Sequence, residues 1–175
     1  MNFCSHCAHQ VEFRVPDGDT LPRYVCPNCH TIHYQNPRVV VGCVPEYNGR
    51  LLLCKRAIEP RLGYWTVPAG FLENGETLED GAARETWEEA CARVDITTML
   101  AVVNVTHVHQ VHVMFRATMQ SADFAAGQES LEVELVSADE IPWESLAFPS
   151  VTYTLRRYLE GGDGLHITEI STRKR

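Results

Sequence analysis

Residues 70–91 read Gly70-Phe71-Leu72-Glu73-Asn74-Gly75-Glu76-Thr77-Leu78-Glu79-Asp80-Gly81-Ala82-Ala83-Arg84-Glu85-Thr86-Trp87-Glu88-Glu89-Ala90-Cys91. Thr77 can cap a helix, Glu79 and Asp80 place negative charge in its first turn, and the residues that follow are mostly good helix formers. The pattern predicts a helix over 77–91. Residues three and four apart share a helix face, so Glu85 lies beside Glu88 and Glu89, and three carboxylates converge on one patch. Like charges so placed repel unless solvent or a cation compensates. A solvated acidic face is one reading; a hard divalent cation such as magnesium or manganese, which takes oxygen ligands, is the other.

The wider order separates these readings. Gly70, Glu76, Arg84-Glu85 and Glu88-Glu89 stand in the spacing that resembles the Nudix box of the Nudix hydrolases. The resemblance implies an α/β fold, an α/β/α sandwich around a mixed sheet, and cleavage of a nucleoside diphosphate linked to another group. It implies that Glu85, Glu88 and Glu89 ligate Mg2+ or Mn2+, helped by the backbone carbonyl of Ala69 or Gly70. Glu76 and Arg84 are similar to the pair that braces the box loop against the helix. Two positions depart from the family pattern. Thr86 stands where a bulky aliphatic residue is usual, and Ala90 where glycine is usual; alanine tolerates a left-handed helix end poorly, which leaves the exit after Glu89 open. The family draws further carboxylates from a loop after the box. The segment 127–133 resembles that loop, with Glu129 the first candidate for late metal ligand or base and Glu132 the second.

Near the other end, Cys4 and Cys7 and then Cys26 and Cys29 form two CxxC pairs separated by eighteen residues. This spacing reads as a four-thiolate zinc site with each pair on its own knuckle. A disulfide framework would need an oxidising compartment, and the N-terminal residues lack the basic start and apolar core of a signal peptide. Four protein ligands leave no open coordination position, so the zinc is expected to be structural, with His6, His9, His30 and His33 surplus. Zinc binding of this kind contributes on the order of 10 kcal/mol, enough to order a ribbon with almost no apolar core. Nucleic acid is disfavoured as a partner. Arg14 and Arg23 are offset by Glu12, Asp17 and Asp19, and the chain's formal charge of −8 opposes binding to phosphate backbones. A packing or homodimer-forming role for the ribbon fits better.

A length of 175 residues suits one ordinary domain plus a small module, here a zinc ribbon over 1–35 and a hydrolase domain over 36–175. Apolar content of 45% supports a real core, and no run reaches the length of a membrane span, so a soluble cytoplasmic protein is expected. Cys43, Cys54 and Cys91 have apolar neighbours and read as small core residues. The basic tail Arg173-Lys174-Arg175 is too short for a targeting patch and reads as a frayed end.

Between the two motifs the pattern is that of a sheet. Strands are predicted over 38–45 and 50–56 around a Tyr47-Asn48-Gly49 hairpin, and near 94–106, 111–119 and 131–136. Residues 150–160 read as a closing helix, with Val151, Leu155, Tyr158 and Leu159 at helical spacing. His107 and His109 would share one face of a strand and His112 the other.

Substrate choice rests on finer likeness. NADH pyrophosphatases, which also join a zinc ribbon to a Nudix domain, carry a Ser-Gln-Pro-Trp-Pro-Phe-Pro signature after the box; residues 105–112 do not match it. Residues 140–150, Glu-Ile-Pro-Trp-Glu-Ser-Leu-Ala-Phe-Pro-Ser, are similar to zinc-ribbon Nudix enzymes that hydrolyse ADP-ribose and FAD. A nucleotide needs a stacking surface and polar anchors: Tyr64, Trp65 and Phe148 are the candidate stackers, Arg56 and Arg61 the candidate phosphate clamps. The expected activity is release of AMP from ADP-ribose or FAD. The rivals are a broad dinucleotide or NADH pyrophosphatase, and a nucleotide sensor whose ribbon binds a partner.

Overall fold

The computed structural model describes residues 1–171; the basic tail 173–175 lies outside the described residues. The chain divides into one unit over Met1–Pro37 and another from Arg38 onward.

In the first unit β1 (Glu12–Arg14), β2 (Arg23–Val25) and β3 (Ile32–His33) form an antiparallel sheet in that order. Phe3, Phe13, Val15, Leu21 and Tyr34 are exposed, while Cys4, Val25 and Cys26 are buried. So few buried apolar side chains cannot offset the entropy of ordering this segment. What lies at its centre instead is the sulfur of Cys4, Cys7, Cys26 and Cys29, all within 4.8 Å of one another. Short bonds converge on them: Cys29 N–H donates to Cys26 Sγ, and the His33 ring nitrogen Nε2 lies 3.3 Å from Cys4 Sγ.

The second unit begins with β4 (Arg38–Tyr47) and β5 (Arg50–Arg56), joined through Asn48 and Gly49. Both turn residues have positive φ, 50° and 77°, the backbone that a two-residue hairpin needs and that Asn-Gly supplies. Then follow β6 (Trp65–Thr66), β7 (Ala69–Phe71), α1 (Leu78–Ala90), β8 (Val94–Val105), β9 (Gln110–Met119), β10 (Ser130–Val136), α2 (Pro149–Glu160) and β11 (His166–Ile170). The sheet runs β10-β5-β4-β9-β8-β11; β4 is parallel to β9, and β8 to β11, making it mixed. Strand alternation divides the apolar residues between two faces. Val41, Cys43, Val113 and Phe115 pack on Ala82 of α1, and Val44, Val103 and Met114 pack with Val151 and Leu155 of α2. This is the α/β/α sandwich that the box resemblance implies. Among the described residues no helix is long and apolar enough to cross a membrane.

One irregularity of the sheet positions the site. β4 and β5 pair only at Glu46–Leu51 and Tyr47–Arg50, next to the hairpin turn. Beyond that β7 pairs with β4 and β6 with β5, so the two strands diverge.

Three expectations need correction. The closing helix is not the last element, because β11 follows it and adds a parallel strand to β8. His107 lies in a single 3-10 turn over Thr106–Val108 and His109 has φ 55°, so neither sits on a strand. The left-handed residue of the helix exit is Cys91, φ 49°, while Ala90 stays helical, so the strain expected at Ala90 does not arise.

Candidate functional site

Thr77 caps α1 by accepting from Asp80 N–H at 3.1 Å, and the acidic first turn suits the positive end of the helix. The loop before it is held by an Arg84 fork. Arg84 donates to both carboxylate oxygens of Glu76, at 2.5 and 3.1 Å, and to the carbonyl of Phe71 at 3.0 Å. Glu76 in turn accepts from Glu73 N–H at 3.1 Å. The Arg84 partner holds the Glu76 carboxyl below the usual carboxylate range. The same guanidinium reaches Glu85 at 2.7 Å and Glu88 at 3.1 Å.

Two of the three helix carboxylates are buried, Glu85 and Glu89, while Glu88 is exposed. Burial pushes Glu89 up to about 8, with the charge of Glu85 adding to it; Ala69 N–H at 3.3 Å offsets little. Burial likewise raises Glu85. A buried, weakly partnered carboxylate is costly, and a cation at this point would relieve both residues. Gly70 lets the box loop approach: a Cβ there would collide with the Glu85 carboxylate. Gly127 does the same for the later loop, since a Cβ would run into the Glu88 carbonyl. Gly127 N–H donates to the Glu89 carbonyl at 3.0 Å and Ala125 N–H to that of Ala90 at 2.9 Å, which satisfies the end of α1. Glu129, two residues on, stands near enough for its charge to raise both Glu85 and Glu89. The fully buried Thr86 is also satisfied, donating to the Ala82 carbonyl at 2.8 Å and lying 3.1 Å from Cys43 Sγ. Burial pushes the Cys43 thiol up to about 12, leaving it inert.

These groups line a cavity of about 1190 Å³ in the opening between the diverging strands. It brings together Ala69, Gly70, Arg84, Glu85, Glu88, Glu89, Glu129, Arg56, Arg61 and Phe148. Arg56 lies over the Phe148 ring at 5.2 Å and donates to the Pro60 carbonyl at 2.9 Å. Four candidates are not brought there, Glu76 among them, since it braces the box loop through Arg84. Glu132 points from β10 to Lys55 Nζ at 3.1 Å, one register step past the cavity loop. Trp65 packs against the core, with Lys55 over its ring at 5.5 Å, and Tyr64 is covered by Arg61 at 5.2 Å. Residues that the sequence did not single out also line the cavity, among them Val105, Gln110, Trp87 and Ile170. The alternation His166-Ile167-Thr168-Glu169-Ile170 after a Gly-rich turn was the available signal for the last.

The donor chemistry suits a hard divalent cation, with carboxylate oxygen from Glu85, Glu88 and Glu89 and from Glu129 as a further ligand or base; among the described residues the four cysteines are the one set of three or more whose ligand atoms all lie within 4.8 Å of one another. Arg84 stands between Glu85 and Glu88, so ion binding would compete with its bonds. The four cysteines fit a soft, tetrahedral site of the structural zinc type.

The Nudix N-terminal zinc-ribbon model matches residues 2–35 and the NUDIX domain model residues 36–157. A crystal structure of a NUDIX hydrolase from Nitrosomonas europaea superposes with a TM-score of 0.95 at 54% identity, covering 98% of this chain and 100% of that one. An ADP-ribose pyrophosphatase from Methanocaldococcus jannaschii is 29% identical over 66% of this chain and 69% of its own. An NAD-capped RNA hydrolase NudC from Photorhabdus laumondii is 28% identical over 90% of this chain and 58% of its own length. A MutT-like protein from Streptomyces ambofaciens is 36% identical over 58% of this chain. The chain spans 64% of that protein's length and 33% of another NudC from Chromobacterium violaceum. The chain therefore belongs to the Nudix hydrolase family, with the family's zinc-ribbon module before its Nudix domain.

Proposed function

We propose that this protein hydrolyses the diphosphate linkage of a nucleoside diphosphate joined to another group, with ADP-ribose or FAD as substrate and AMP as one product. The observation that carries the reading is the buried Glu85–Glu89 pair, with Glu129 beside it, in one cavity with the Arg56–Phe148 stack. Such a cavity offers acceptors for cations at one place and a flat cationic–aromatic surface for a base at another. Magnesium or manganese would be held by Glu85, Glu88 and Glu89 with the Ala69 or Gly70 carbonyl and would supply charge neutralisation for the diphosphate, leaving Glu129 as the base. Glu129 takes a proton from water, whose oxygen forms the new P–O bond while the bridging P–O bond breaks and the second phosphate departs. Arg56 and Arg61 hold phosphate oxygens, and Arg84 keeps the box loop on α1.

A second reading, hydrolysis of dinucleotides or of an NAD cap, is favoured by the 90% coverage of this chain in the match to a NudC protein. A sensor without turnover would have no use for two buried carboxylates that destabilise the fold without cations. For the ribbon a structural zinc and a dimer-forming role are proposed, and seven free cysteines support a cytoplasmic setting.

The test is AMP release from ADP-ribose, FAD and NADH, and release of nicotinamide mononucleotide from NAD-capped RNA, each with magnesium. Preference for ADP-ribose or FAD supports the first reading and preference for the NAD compounds the second. Binding of ADP-ribose without turnover of any member supports the sensor.

A further inference from the structure

The NUDIX domain match ends at residue 157, yet β11 lies beyond it and contributes Ile170 to the cavity wall. Register explains how. Ile170 is the parallel partner of Val105, and Val105 is the antiparallel partner of Gln110, so these three form one row across β11, β8 and β9. Residues paired across a sheet share a face, and all three line the cavity. Ile170 and Phe148 both pack on the cluster that contains Val105. Asn104 Nδ2 donates to the Thr168 carbonyl at 3.2 Å and Thr106 Oγ1 to Glu169 at 3.4 Å, tying β11 to the end of β8. Without β11, Val105 would stand on an open edge. Beside this apolar row is a polar pair: His112 Nε2 and Gln110 Oε1 are 3.0 Å apart. Since that oxygen only accepts, His112 carries its proton on Nε2, and its Nδ1 and the Gln110 amide remain for other partners.

We infer that β11 is a specificity element, with Ile170, Val105 and Phe148 forming the apolar wall for the nucleobase of the substrate and the Gln110–His112 pair reading the polar edge of that base. The chemistry matches a heteroaromatic ring, apolar on its faces and hydrogen-bonding at its rim. The inference rests on the nucleotide reading above. A missing apolar contact in such a wall weakens binding by roughly tenfold or more.

Calorimetric binding of AMP, IMP and ribose 5-phosphate to the zinc-loaded full chain tests it without requiring turnover. Wild type is expected to bind AMP more tightly than ribose 5-phosphate and to distinguish AMP from IMP. Ile170→Ala should weaken AMP roughly tenfold and leave ribose 5-phosphate unchanged, whereas Ile167→Ala, on the opposite face of β11, should change neither. Since Ile170 also packs on the core, Gln110→Ala gives a second check: it should abolish the preference between AMP and IMP. Equal affinity of wild type for AMP and ribose 5-phosphate, or an AMP–IMP preference that survives Gln110→Ala, would overturn the assignment. Base-dependent binding without hydrolysis of any substrate would overturn the hydrolytic reading alone.

Discussion

Glu89 ties the electrostatics of the apo fold to its need for a cation. Its pKa stands at about 8 against an ordinary 4.5, because burial and the neighbouring Glu85 disfavour the charged form. A carboxyl raised in the folded state contributes stability that is complete below the unfolded pKa and lost as pH rises through the folded one. In magnesium-free buffer the zinc-loaded protein is therefore expected to lose stability between pH 5 and 9 as Glu89 ionises, and magnesium should cancel the loss. Thermal melts across that range measure it; Glu89→Gln should flatten the magnesium-free profile, and a wild-type profile already as flat as the variant's would contradict the assignment. Glu129 belongs to the same scale. Glu129→Gln is expected to lower turnover by roughly 10²–10⁴ while the melting temperature holds, and unchanged turnover would remove it from the site.

At the scale of elements, α1 works because two loops meet it without side chains in the way. Gly127→Ala should push residues 125–129 off the helix end, costing about 1–3 kcal/mol as overpacking does, and lower turnover by displacing Glu129. Chemical denaturation and steady-state kinetics on the same preparation read both effects; a variant as stable and active as wild type would mean that the loop approach is looser than drawn. Much at this scale was legible in the sequence. The cap at Thr77, the Asn48-Gly49 turn and the carboxylate spacing are local signals, and local signals survive folding. What escaped was decided by partners distant in sequence. β11 has only five residues, and its identity comes from pairing with Val105 and its neighbours. Trp65 read as a stacker because its chemistry suits a base, but the pairing of β6 with β5 turns it to the core. Glu132 lies close to Glu129 in sequence, yet the irregular register between Ser130 and Glu132 delivers it to Lys55. The left-handed residue at Cys91 was hidden for the opposite reason, since glycine was the only signal sought.

Across the whole molecule, two units solve the problem of stability differently. The Nudix unit has apolar layers on both faces of its sheet, whereas the ribbon leaves Phe3, Phe13 and Tyr34 exposed and gathers four sulfurs at its centre. Removal of zinc is therefore expected to unfold Met1–Pro37 while the Nudix unit keeps its own cooperative transition. Amide exchange after treatment with a zinc chelator would show fast exchange confined to the ribbon, and retained protection there would mean that zinc is not its core. The cavity is assembled from β4, β5, β7, α1, β8, β9, the loops around residues 58 and 128, the turn at 107, the start of α2 and β11. Motif spacing fixed its acidic centre, and only the assembled sheet brought its nucleobase wall together. The central claim is that these carboxylates hydrolyse a diphosphate with the help of divalent cations. The most direct measurement is AMP release from ADP-ribose, FAD and NADH by wild type and Glu89→Gln, with and without magnesium. Magnesium-dependent AMP from wild type and its near-complete loss in the variant is the predicted result; equal release by both proteins, or none from wild type at any magnesium concentration, would contradict it.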